Sequence, residues 1–556
     1  MGTTPAAESG LVSTPPNVPA GRVCKKGDIL MYASVKSAGV RGLSAELVTV
    51  EVDLSSGLPR FDLVGLPNSA VSESKERVRS AVRNCGFQFP ISRITVNLAP
   101  ADFRKEGPIY DLPIFTAMML ADHQIISGQK TLERKLEELS SAVFLGELSL
   151  RGDVRRVRGV LPMLICAREQ GMKQAFIPAG NAQEATAVCD AMDVYPVRTV
   201  KELLAHLRGE RLIEPVAPVP FETLVEQNAR ADAPDFSEVI GQHEARRALE
   251  IAAAGGHNVL LVGPPGAGKS MLAKRLPGIL PAMTYDEALE TTNIYSVGGL
   301  LPEDLPLMVE RPFRAPHHTA TLPAMAGGGA QASPGEVTLA HNGVLFLDET
   351  PHFARPVLEA LRQPLEDRCI TIARNRATVT YPGNIQLIGA MTPCPCGWYG
   401  VPYRENGRVC SCSLQDIRRY ADKLSGPFLD RIDLHVRVRP VPERLLLAGG
   451  ASECSADIRA RVVAARAVQK ARFEGTGTTC NAGMNRTQLL ECCALDDACR
   501  DALLAAHEKH QFSARSNDKI LKVARTIADL AGSETIELPH LLEAVQLHAM
   551  DLYLDP

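Results

Sequence analysis

One short segment limits the possible folds of this chain more than any other. The apolar run Val259–Val262 is followed at once by the glycine-rich stretch GPPGAGKS, Gly263–Ser270, and then by the helix-compatible run Met271–Leu276. Strand, glycine-rich loop and helix in this order are typical of a phosphate-binding loop, where glycines let backbone N–H groups surround phosphate oxygens. The helix N-terminus adds positive potential. The sequence therefore predicts a nucleotide site at the edge of an α/β sheet.

The residues of this loop have separate predicted roles around ATP. Lys269 is expected to reach the β- and γ-phosphates, and the hydroxyl of Ser270 is expected to hold Mg²⁺. The candidate nucleotide-binding residues are Gly263, Pro264, Pro265, Gly266, Ala267, Gly268, Lys269, Ser270 and Met271.

Two later apolar runs end in polar residues that suit the same site. Val344–Leu347 leads into Asp348 and Glu349, as a buried parallel strand does when its carboxyl end meets a ligand. Asp348 is predicted to hold Mg²⁺, and Glu349 to orient and polarise the attacking water. After a third run, Ile385–Ala390, Thr392 is a candidate for bonding the γ-phosphate or the water; the alternative is an ordinary strand-end residue.

Two arginines are further catalytic candidates. Arg431 precedes the alternating run Ile432–Val438, and from a neighbouring subunit it could neutralise charge in the transition state. The alternative is a surface salt bridge with Asp430 or Asp433. Arg515 could reach the nucleotide from a lid, although on sequence alone a solvated helix face is favoured.

Composition sets the protein class. A length of 556 residues with 45% hydrophobic content predicts two to four domains with real cores. The net charge of −4 excludes a generally basic surface, so any DNA contact must come from local loops or an oligomeric channel. No long apolar window predicts a membrane span. The 14 cysteines beside a nucleotide motif favour reduced thiols, and a cytoplasmic location is expected.

The chain divides into five predicted segments. Strand-like alternation at Ala45–Leu54 and Arg93–Leu98, and an amphipathic helix over Val71–Cys85, mark an α/β unit. The helical stripe Asp518–Ala531 marks the last domain, with Gly532 closing it. The predicted segments are a disordered tail over 1–27, an α/β domain over 28–210, a proline-rich linker over 211–234, the ATPase core over 235–450 and a helical lid over 451–556.

Four cysteines form a candidate metal site. Cys394 and Cys396 form one Cys-x-Cys pair, and Cys410 and Cys412 form another across a short polar loop. Paired thiolates separated by a loop are the usual form of a closed, structural zinc site. The competing interpretation is four ordinary reduced cysteines, but such a loop has no core for them to fill.

Several segments together closely resemble a known family. They are GLPRFDLVGLP (57–67), RITVNLAPADFRKEG (93–107), RPFRAPHHTAT (311–321), GGG (327–329), PGEVTLAHNGVLFLDE (334–349), LRQPLEDR (361–368), CPCG (394–397), SGPFLDRIDLHV (425–436) and KILKVARTIADLAG (519–532). This string resembles the Mg-chelatase-like AAA+ proteins of the ComM/YifB family, from about residue 30 to 550.

The resemblance implies an α/β fold class in three parts. An N-terminal Lon-protease-like domain of ribosomal S5 type is followed by an AAA+ αβα sandwich and a C-terminal helical lid. It implies an ATP- and Mg²⁺-dependent homohexamer that drives branch migration of single-stranded or branched DNA in natural transformation and homologous recombination. Recombination proteins are further expected partners, and no membrane is expected.

The resemblance also assigns roles to residues. Lys269 and Ser270 match the Walker A pair, and Asp348 and Glu349 the Walker B pair. Arg431 matches the trans arginine finger and Arg515 the sensor-2 arginine. The family usually has Asn where this chain has Thr392, whose hydroxyl is shorter but can still donate and accept a hydrogen bond.

The N-terminal domain resembles Lon proteases but lacks their chemistry. Lon proteases use a Ser–Lys pair, in which a lysine accepts the serine proton. This chain has Ile109 at the serine position and Leu161 at the lysine position, so an inactive scaffold for oligomerisation or DNA contact is predicted. Basic residues that fit a DNA-contact role are Arg104, Lys105, Arg151, Arg155, Arg156 and Arg158, with a solvated charged face as the alternative for each.

Two loops are candidate DNA contacts in a hexamer channel, with passive surface loops as the alternative. They are the glycine-rich segment Gly327–Glu336 and the segment Arg374–Arg376. The pair His317 and His318 is interpreted as packing, because adjacent residues of an extended segment point to opposite sides. Two other functions stay open: a chelatase-type ATPase that remodels a protein partner, and a Lon-like peptidase, which the missing Ser–Lys pair disfavours.

Overall fold

The structure is a computed structural model. It describes residues 31–125, 129–228, 233–328, 333–373, 378–401, 409–442, 444–445, 452–510 and 512–549. The predicted tail over 1–27 lies outside these residues, as does the segment Arg374–Arg376. Among the described helices, none has the length and apolarity needed to cross a bilayer.

The N-terminal domain is built on a seven-stranded mixed sheet with the order β3-β4-β2-β1-β5-β8-β9. Along much of its long strands, buried residues alternate with partly buried ones, because one face of the sheet packs on helices more closely than the other. Strands β6 and β7 form a separate antiparallel pair. The strands of this region are β1 (Tyr32–Arg41), β2 (Ser44–Ser55), β3 (Arg60–Val64), β4 (Arg93–Ala99), β5 (Ala142–Phe144), β6 (Glu147–Leu148), β7 (Val154–Arg155), β8 (Gln174–Pro178) and β9 (Asp193–Val197). The two predicted strands lie within β2 and β4.

Helices cover this sheet, and the most buried of them, Asp111–Ala121, is buried at every position. The amphipathic helix predicted over Val71–Cys85 is divided at Glu73, which caps two consecutive helices. The helices of this region are Ser69–Ser72, Ser74–Asn84, Asp111–Ala121, Gln129–Leu139, Val160–Glu169, Ala182–Ala185, Val200–Leu207 and Phe221–Gln227. The last of these lies within the predicted linker, so that segment is partly helical.

The residues at the Lon-like serine and lysine positions are part of the hydrophobic core. Ile109 is 6% exposed and Leu161 is 0% exposed. Two buried aliphatic side chains supply neither a nucleophile nor a base, which agrees with the predicted loss of protease chemistry.

The ATPase core contains a five-stranded parallel sheet with the order β11-β14-β17-β10-β18. Its central strands are buried at every position because helices cover both faces. The core strands are β10 (Val259–Val262), β11 (Phe313–Arg314), β12 (Gly327–Gly328), β13 (Ser333–Pro334), β14 (Val344–Leu347), β15 (Cys369–Ala373), β16 (Thr378–Pro382), β17 (Gln386–Met391) and β18 (Leu434–Arg437). Strands β12 and β13, and strands β15 and β16, form two separate antiparallel hairpins.

One core helix, Tyr285–Gly298, joins the ATPase core to the N-terminal domain. The Ser296 hydroxyl donates to the Glu184 carboxylate at 2.6 Å, and the Tyr285 hydroxyl donates to the Ala187 carbonyl at 2.7 Å. The core helices are His243–Gly255, Lys269–Ile279, Tyr285–Gly298, Leu322–Ala326, Glu336–Leu339, Arg355–Ala360, Arg362–Asp367, Leu414–Ala421 and Gly426–Leu429.

Three of the basic residues proposed for DNA contact make contacts within the protein. Lys105 is fully buried, and its ammonium donates to backbone carbonyls of its own loop, including that of Phe103 at 3.1 Å. Arg156 donates to the Leu301 carbonyl at 2.7 Å, and Arg158 packs against Gly299. The DNA-contact prediction is wrong for Lys105 because a buried ammonium cannot meet a phosphate. Arg156 and Arg158 contact the ATPase core.

The C-terminal region is helical, as predicted. Its helices are Ser455–Arg472, Arg486–Cys492, Asp497–His510, Ala514–Ala531 and Leu538–His548. The helix Ala514–Ala531 buries four residues of the predicted stripe, Ile520, Ala524, Ile527 and Ala528, whereas Leu521 is half-buried and Ala531 is exposed. Gly532 ends the helix at a left-handed φ of 70°. Its residue Lys519 donates to the Ile432 carbonyl at 2.9 Å, so the lid is fixed to the start of β18.

Strand β18 departs from its predicted alternation. His435 is 4% exposed, although its place in the pattern predicts a solvent-facing residue. The reason is tertiary: the lid helix Leu538–His548 covers this strand, and the rings of His435 and His548 lie 5.9 Å apart.

Candidate active site

The predicted ATP-site residues follow three adjacent parallel strands. Strand β17 lies between β10 and β14 in the sheet, and each strand ends at the same edge. The phosphate-binding loop follows β10, Asp348 follows β14 and Thr392 follows β17. Because parallel strands bring their carboxyl ends together, sequence positions more than 40 residues apart meet in one crevice.

The loop holds its own lysine. Gly266 and Gly268 adopt left-handed φ angles of 78° and 90°, which glycine reaches without steric cost. The Lys269 ammonium donates to the carbonyls of Gly263 at 2.7 Å and Pro264 at 2.9 Å. Burial lowers the pKa of Lys269, and the nearby carboxylates oppose that shift. The Lys269 ammonium, partly removed from water, is thus held at the place where phosphate oxygens of a bound nucleotide would replace the two backbone carbonyls.

The oxygens that suit Mg²⁺ lie together. The Ser270 hydroxyl donates to Asp348 Oδ2 at 2.7 Å, and the Glu349 backbone N–H donates to Asp348 Oδ1 at 3.0 Å. A hydroxyl and a carboxylate are the hard oxygen ligands that Mg²⁺ prefers beside substrate phosphates. The Ser270 hydroxyl and the Asp348 carboxylate therefore fit Mg²⁺. When bound, this ion would neutralise charge on the β- and γ-phosphates.

Thr392 has two hydrogen-bond partners at the end of β17. Its hydroxyl donates to the Cys394 carbonyl at 3.0 Å and shares a hydrogen bond of 2.9 Å with the Tyr420 hydroxyl. The side chain is therefore fixed by the protein, between the strand of Lys269 and the strand of Asp348. Tyr420 links it to the helix Leu414–Ala421.

The two candidate arginines lie together, at the opposite edge of the sheet from the phosphate-binding loop. The Arg431 backbone carbonyl accepts a hydrogen bond of 2.9 Å from Asn258, the residue just before β10, whereas Lys269 follows the end of that strand. Arg431 Nη2 lies 2.5 Å from Glu366 Oε1, and Arg515 Nη2 lies 3.4 Å from the same oxygen. A single carboxylate therefore holds both guanidinium groups on a face away from the chain's own lysine.

The alternative salt bridges of Arg431 with Asp430 or Asp433 are wrong, because its carboxylate partner is Glu366. Asp433 instead accepts a hydrogen bond of 2.9 Å from the Asn258 backbone and lies 3.3 Å from the Lys519 ammonium. Although burial opposes it, these partners and His257 hold the pKa of Asp433 well below its usual range.

The four cysteines converge next to the ATP site. Their sulfur atoms all lie within 4.8 Å of one another, with Cys394 and Cys410 3.7 Å apart. A tetrahedron of Zn–S bonds of about 2.3 Å places its sulfur atoms about 3.8 Å apart, so the thiols fit zinc. Burial raises the pKa of the Cys396 thiol, but hydrogen bonds from backbone groups and neighbouring thiols lower it to about 6.

This cysteine cluster contacts the phosphate-binding loop through a glycine. Gly397 has a left-handed φ of 85°, and a Cβ at this position would lie only 2.6 Å from Pro265 Cδ. Only glycine allows so close an approach. The sequence showed a cysteine loop and a phosphate loop but could not show that they touch.

Four functional candidates escaped the sequence analysis or were misread. Glu366 lies in the segment LRQPLEDR but had no predicted role, and Tyr420 lies in an unremarkable polar stretch; only their contacts with Arg431 and Thr392 identify them. His318 and His352 lie beside Glu349. The prediction that His317 and His318 point apart is wrong: their ring centroids are 4.1 Å apart because the chain turns there. The adjacent histidines in the sequence were the signal that could have identified His318 as a functional candidate.

The fold and the Walker A and Walker B residues define a P-loop ATPase with a lid. Three family models match the chain: magnesium chelatase, subunit ChlI, over residues 235–446; subunit ChlI of Mg-chelatase over 50–181; and magnesium chelatase, subunit ChlI C-terminal, over 452–548. Each match lies inside one predicted domain, while the domain boundaries themselves stay predictions.

Two full-length relatives show the family. Competence protein ComM of Haemophilus influenzae is 43% identical over 524 residues, covering 94% of this chain and 98% of that protein. The uncharacterized protein YifB of Escherichia coli is 40% identical over 519 residues, covering 93% and 97%. A Lon protease of Mycolicibacterium smegmatis is 26% identical over 176 residues, which is 30% of this chain. The chain belongs to the ComM/YifB family of Mg-chelatase-like AAA+ ATPases.

Proposed function

We propose that this chain forms a homohexameric ring that hydrolyses MgATP between adjacent subunits and uses the energy to move DNA. The expected work is helicase-type branch migration while single-stranded DNA is integrated during natural transformation and homologous recombination. The observation that supports it most is the division of the ATPase residues between two edges of one sheet, with Arg431 and Arg515 placed away from Lys269.

The division calls for a second subunit. Arg431 is 7% exposed and bonded to Glu366, so in one chain it neutralises a carboxylate rather than a phosphate. In a ring, the γ-phosphate bound by the next subunit would compete for the same guanidinium groups. Such an arginine finger is worth about 10³–10⁵ in rate in other systems. Its placement makes hydrolysis depend on assembly.

The DNA part of the proposal has two supports. A relative that matches nearly the whole chain is named for competence. The ATPase core also carries two hairpins outside its main sheet, β12–β13 and β15–β16, which contact each other where Gly327 meets Ile372 Cδ1. Their connecting segments, 329–332 and 374–377, lie outside the described residues. In a ring channel, backbone and a few cations on such hairpins could follow phosphates despite the net charge of −4.

The test combines ATP hydrolysis with strand movement. Purified protein is given single-stranded DNA, a duplex, and labelled three- and four-way junctions, with Lys269→Ala as the matched inactive control. DNA is expected to stimulate ATPase activity, and the junctions are expected to resolve only with ATP and only with the wild type. ATP hydrolysis that ignores DNA and leaves every junction unmoved would contradict the proposal.

A chelatase-type ATPase that remodels a protein partner is the second candidate. The family models that match the chain are all described as magnesium chelatase subunits, which favours it. This function predicts hydrolysis that is indifferent to DNA and responsive to a protein partner, so the same assay separates the two.

We further propose that Cys394, Cys396, Cys410 and Cys412 bind structural Zn²⁺. Their sulfur spacing supports this, and all-cysteine sites are closed and serve folding rather than catalysis. Since Gly397 of this loop touches Pro265, the metal would stiffen one wall of the nucleotide site.

A further inference from the structure

Glu349, the residue expected to activate water, lies between two imidazole rings. His318 Nδ1 is 3.7 Å from Glu349 Oε2, and His352 Nδ1 is 3.6 Å from the same oxygen. The two rings are perpendicular, with centroids 5.9 Å apart. Both contacts fall on Oε2, so Oε1 is the oxygen that can face the attacking water.

The backbone at Glu349 is strained. Glu349 has a left-handed φ of 51°, which is unfavourable for a residue with a side chain. The following residue holds the turn, since the Thr350 hydroxyl donates to the Leu347 carbonyl at 2.9 Å. Such strain persists where surrounding structure enforces it, and it clusters at functional sites.

One of the rings is connected to the end of β17. The His352 ring meets the Tyr420 ring edge to face at 6.1 Å, and the Tyr420 hydroxyl bonds Thr392 at 2.9 Å. Glu349 is therefore linked through two aromatic rings to the neighbouring strand end. This connection fixes the place of His352 relative to the other candidate catalytic residues.

A metal site does not account for this arrangement. Among the described residues, the only His, Cys, Asp and Glu side chains that converge closely enough to hold an ion are the four cysteines. The histidines also have exposed fractions of 31% and 43%, so core packing does not explain them either. Contact with one carboxylate oxygen is what they share.

We propose that His318 and His352 are positioning residues that orient the Glu349 carboxylate for ATP hydrolysis. Their Nδ1 atoms both lie within 4 Å of Oε2, and this electrostatic contact would limit rotation of the carboxylate and leave Oε1 for water near the γ-phosphate. A base misplaced by about 1 Å can cost about 10²-fold in rate, so a modest loss of orientation is measurable. The inference rests on the proposed ATPase chemistry but not on DNA translocation.

The test measures ATP turnover without DNA and nucleotide affinity with a fluorescent ATP analogue. His318→Ala and His352→Ala are each expected to lower kcat about tenfold while leaving the Kd for the analogue within about twofold. His318→Asn and His352→Asn should recover most of the loss, because the asparagine amide nitrogen takes the place of Nδ1. His317→Ala is the matched control, since the His317 Nδ1 pairs with Thr319 at 2.8 Å and not with Glu349.

A second arm separates positioning from general damage. In a Glu349→Gln background, His318→Ala should cause no further loss in single-turnover hydrolysis, because the carboxylate it orients is gone. The proposal is overturned if the alanine variants keep wild-type kcat, if His317→Ala causes the same loss, or if the loss persists in the Glu349→Gln background. Failure of DNA movement would affect none of these readings.

Discussion

Lys269 shows how a single residue is placed before its ligand arrives. Its ammonium is bonded to two carbonyls of its own loop, so binding a phosphate exchanges those bonds rather than ordering a free side chain. The residue needs no neighbour from another domain to reach this position. Its role could therefore be predicted from the local motif alone, although hydrolysis by this residue set stays a prediction.

Changing single residues should separate binding from chemistry. Lys269→Ala is expected to abolish turnover by weakening the hold on the phosphates, whereas Glu349→Gln should keep ATP bound while lowering kcat roughly 10²–10⁴-fold. Steady-state hydrolysis together with a nucleotide Kd checks both. Wild-type turnover in Glu349→Gln would remove Glu349 from the chemistry.

At the scale of elements, the sequence predicted most of what depends on local pattern. The strand before the phosphate loop and the Walker B strand form where continuous apolar runs predict them, and the helix ending at Gly532 forms where its stripe predicts it, because each is set by residues close in sequence. The exceptions have tertiary causes. Strand β18 buries His435 because a lid helix covers it, and the histidine pair is brought together by a turn.

The cysteine loop is an element whose contribution can be tested. Cys394→Ser, or removal of zinc with a chelator, should loosen the loop while ATP binding persists, because the phosphate contacts come from the neighbouring loop. Metal analysis and limited proteolysis measure the change, with Cys189→Ser as the control outside the cluster. Loss of nucleotide binding, or metal content equal in both variants, would contradict this.

At the scale of the whole molecule, the proposed ring predicts that ATP hydrolysis depends on contact between subunits. Mixing Arg431→Ala protein with Lys269→Ala protein should restore hydrolysis that neither has alone. In rings assembled from equal amounts of the two variants, roughly a quarter of the interfaces place an intact phosphate-binding loop on one subunit beside an intact Arg431 on the next. ATPase activity against mixing ratio measures this. A flat baseline at every ratio would show that Arg431 does not act across subunits.

The junction between core and lid should weaken in mild acid. Burial, and the nearby His548, lower the pKa of His435 to about 3 from its ordinary 6.5, and burial also lowers that of His548. Below pH 6.5 these histidines bind protons in the unfolded chain but not in the folded chain. The free energy of unfolding therefore falls as the pH drops, by up to about 1.4 kcal/mol per pH unit for each histidine.

Thermal unfolding between pH 8 and pH 4.5 measures this dependence. Asp433, whose folded pKa is depressed, adds its own loss below about pH 5, where its unfolded form begins to protonate. His548→Gln should flatten the decline between pH 6.5 and pH 4.5. An unchanged slope in that variant would place the acid sensitivity elsewhere.

The sequence by itself determined the nucleotide loop, the Walker B carboxylates, the cysteine spacing and the aliphatic residues at the Lon-like serine and lysine positions, because each depends on residue type at particular positions. Only the tertiary structure decided that Glu366 holds Arg431 beside Arg515, that Gly397 touches Pro265, and that two histidines flank Glu349. Those contacts join residues that are far apart in the chain or separated by a turn. Their distances follow from how strands and helices pack, which local sequence patterns do not specify.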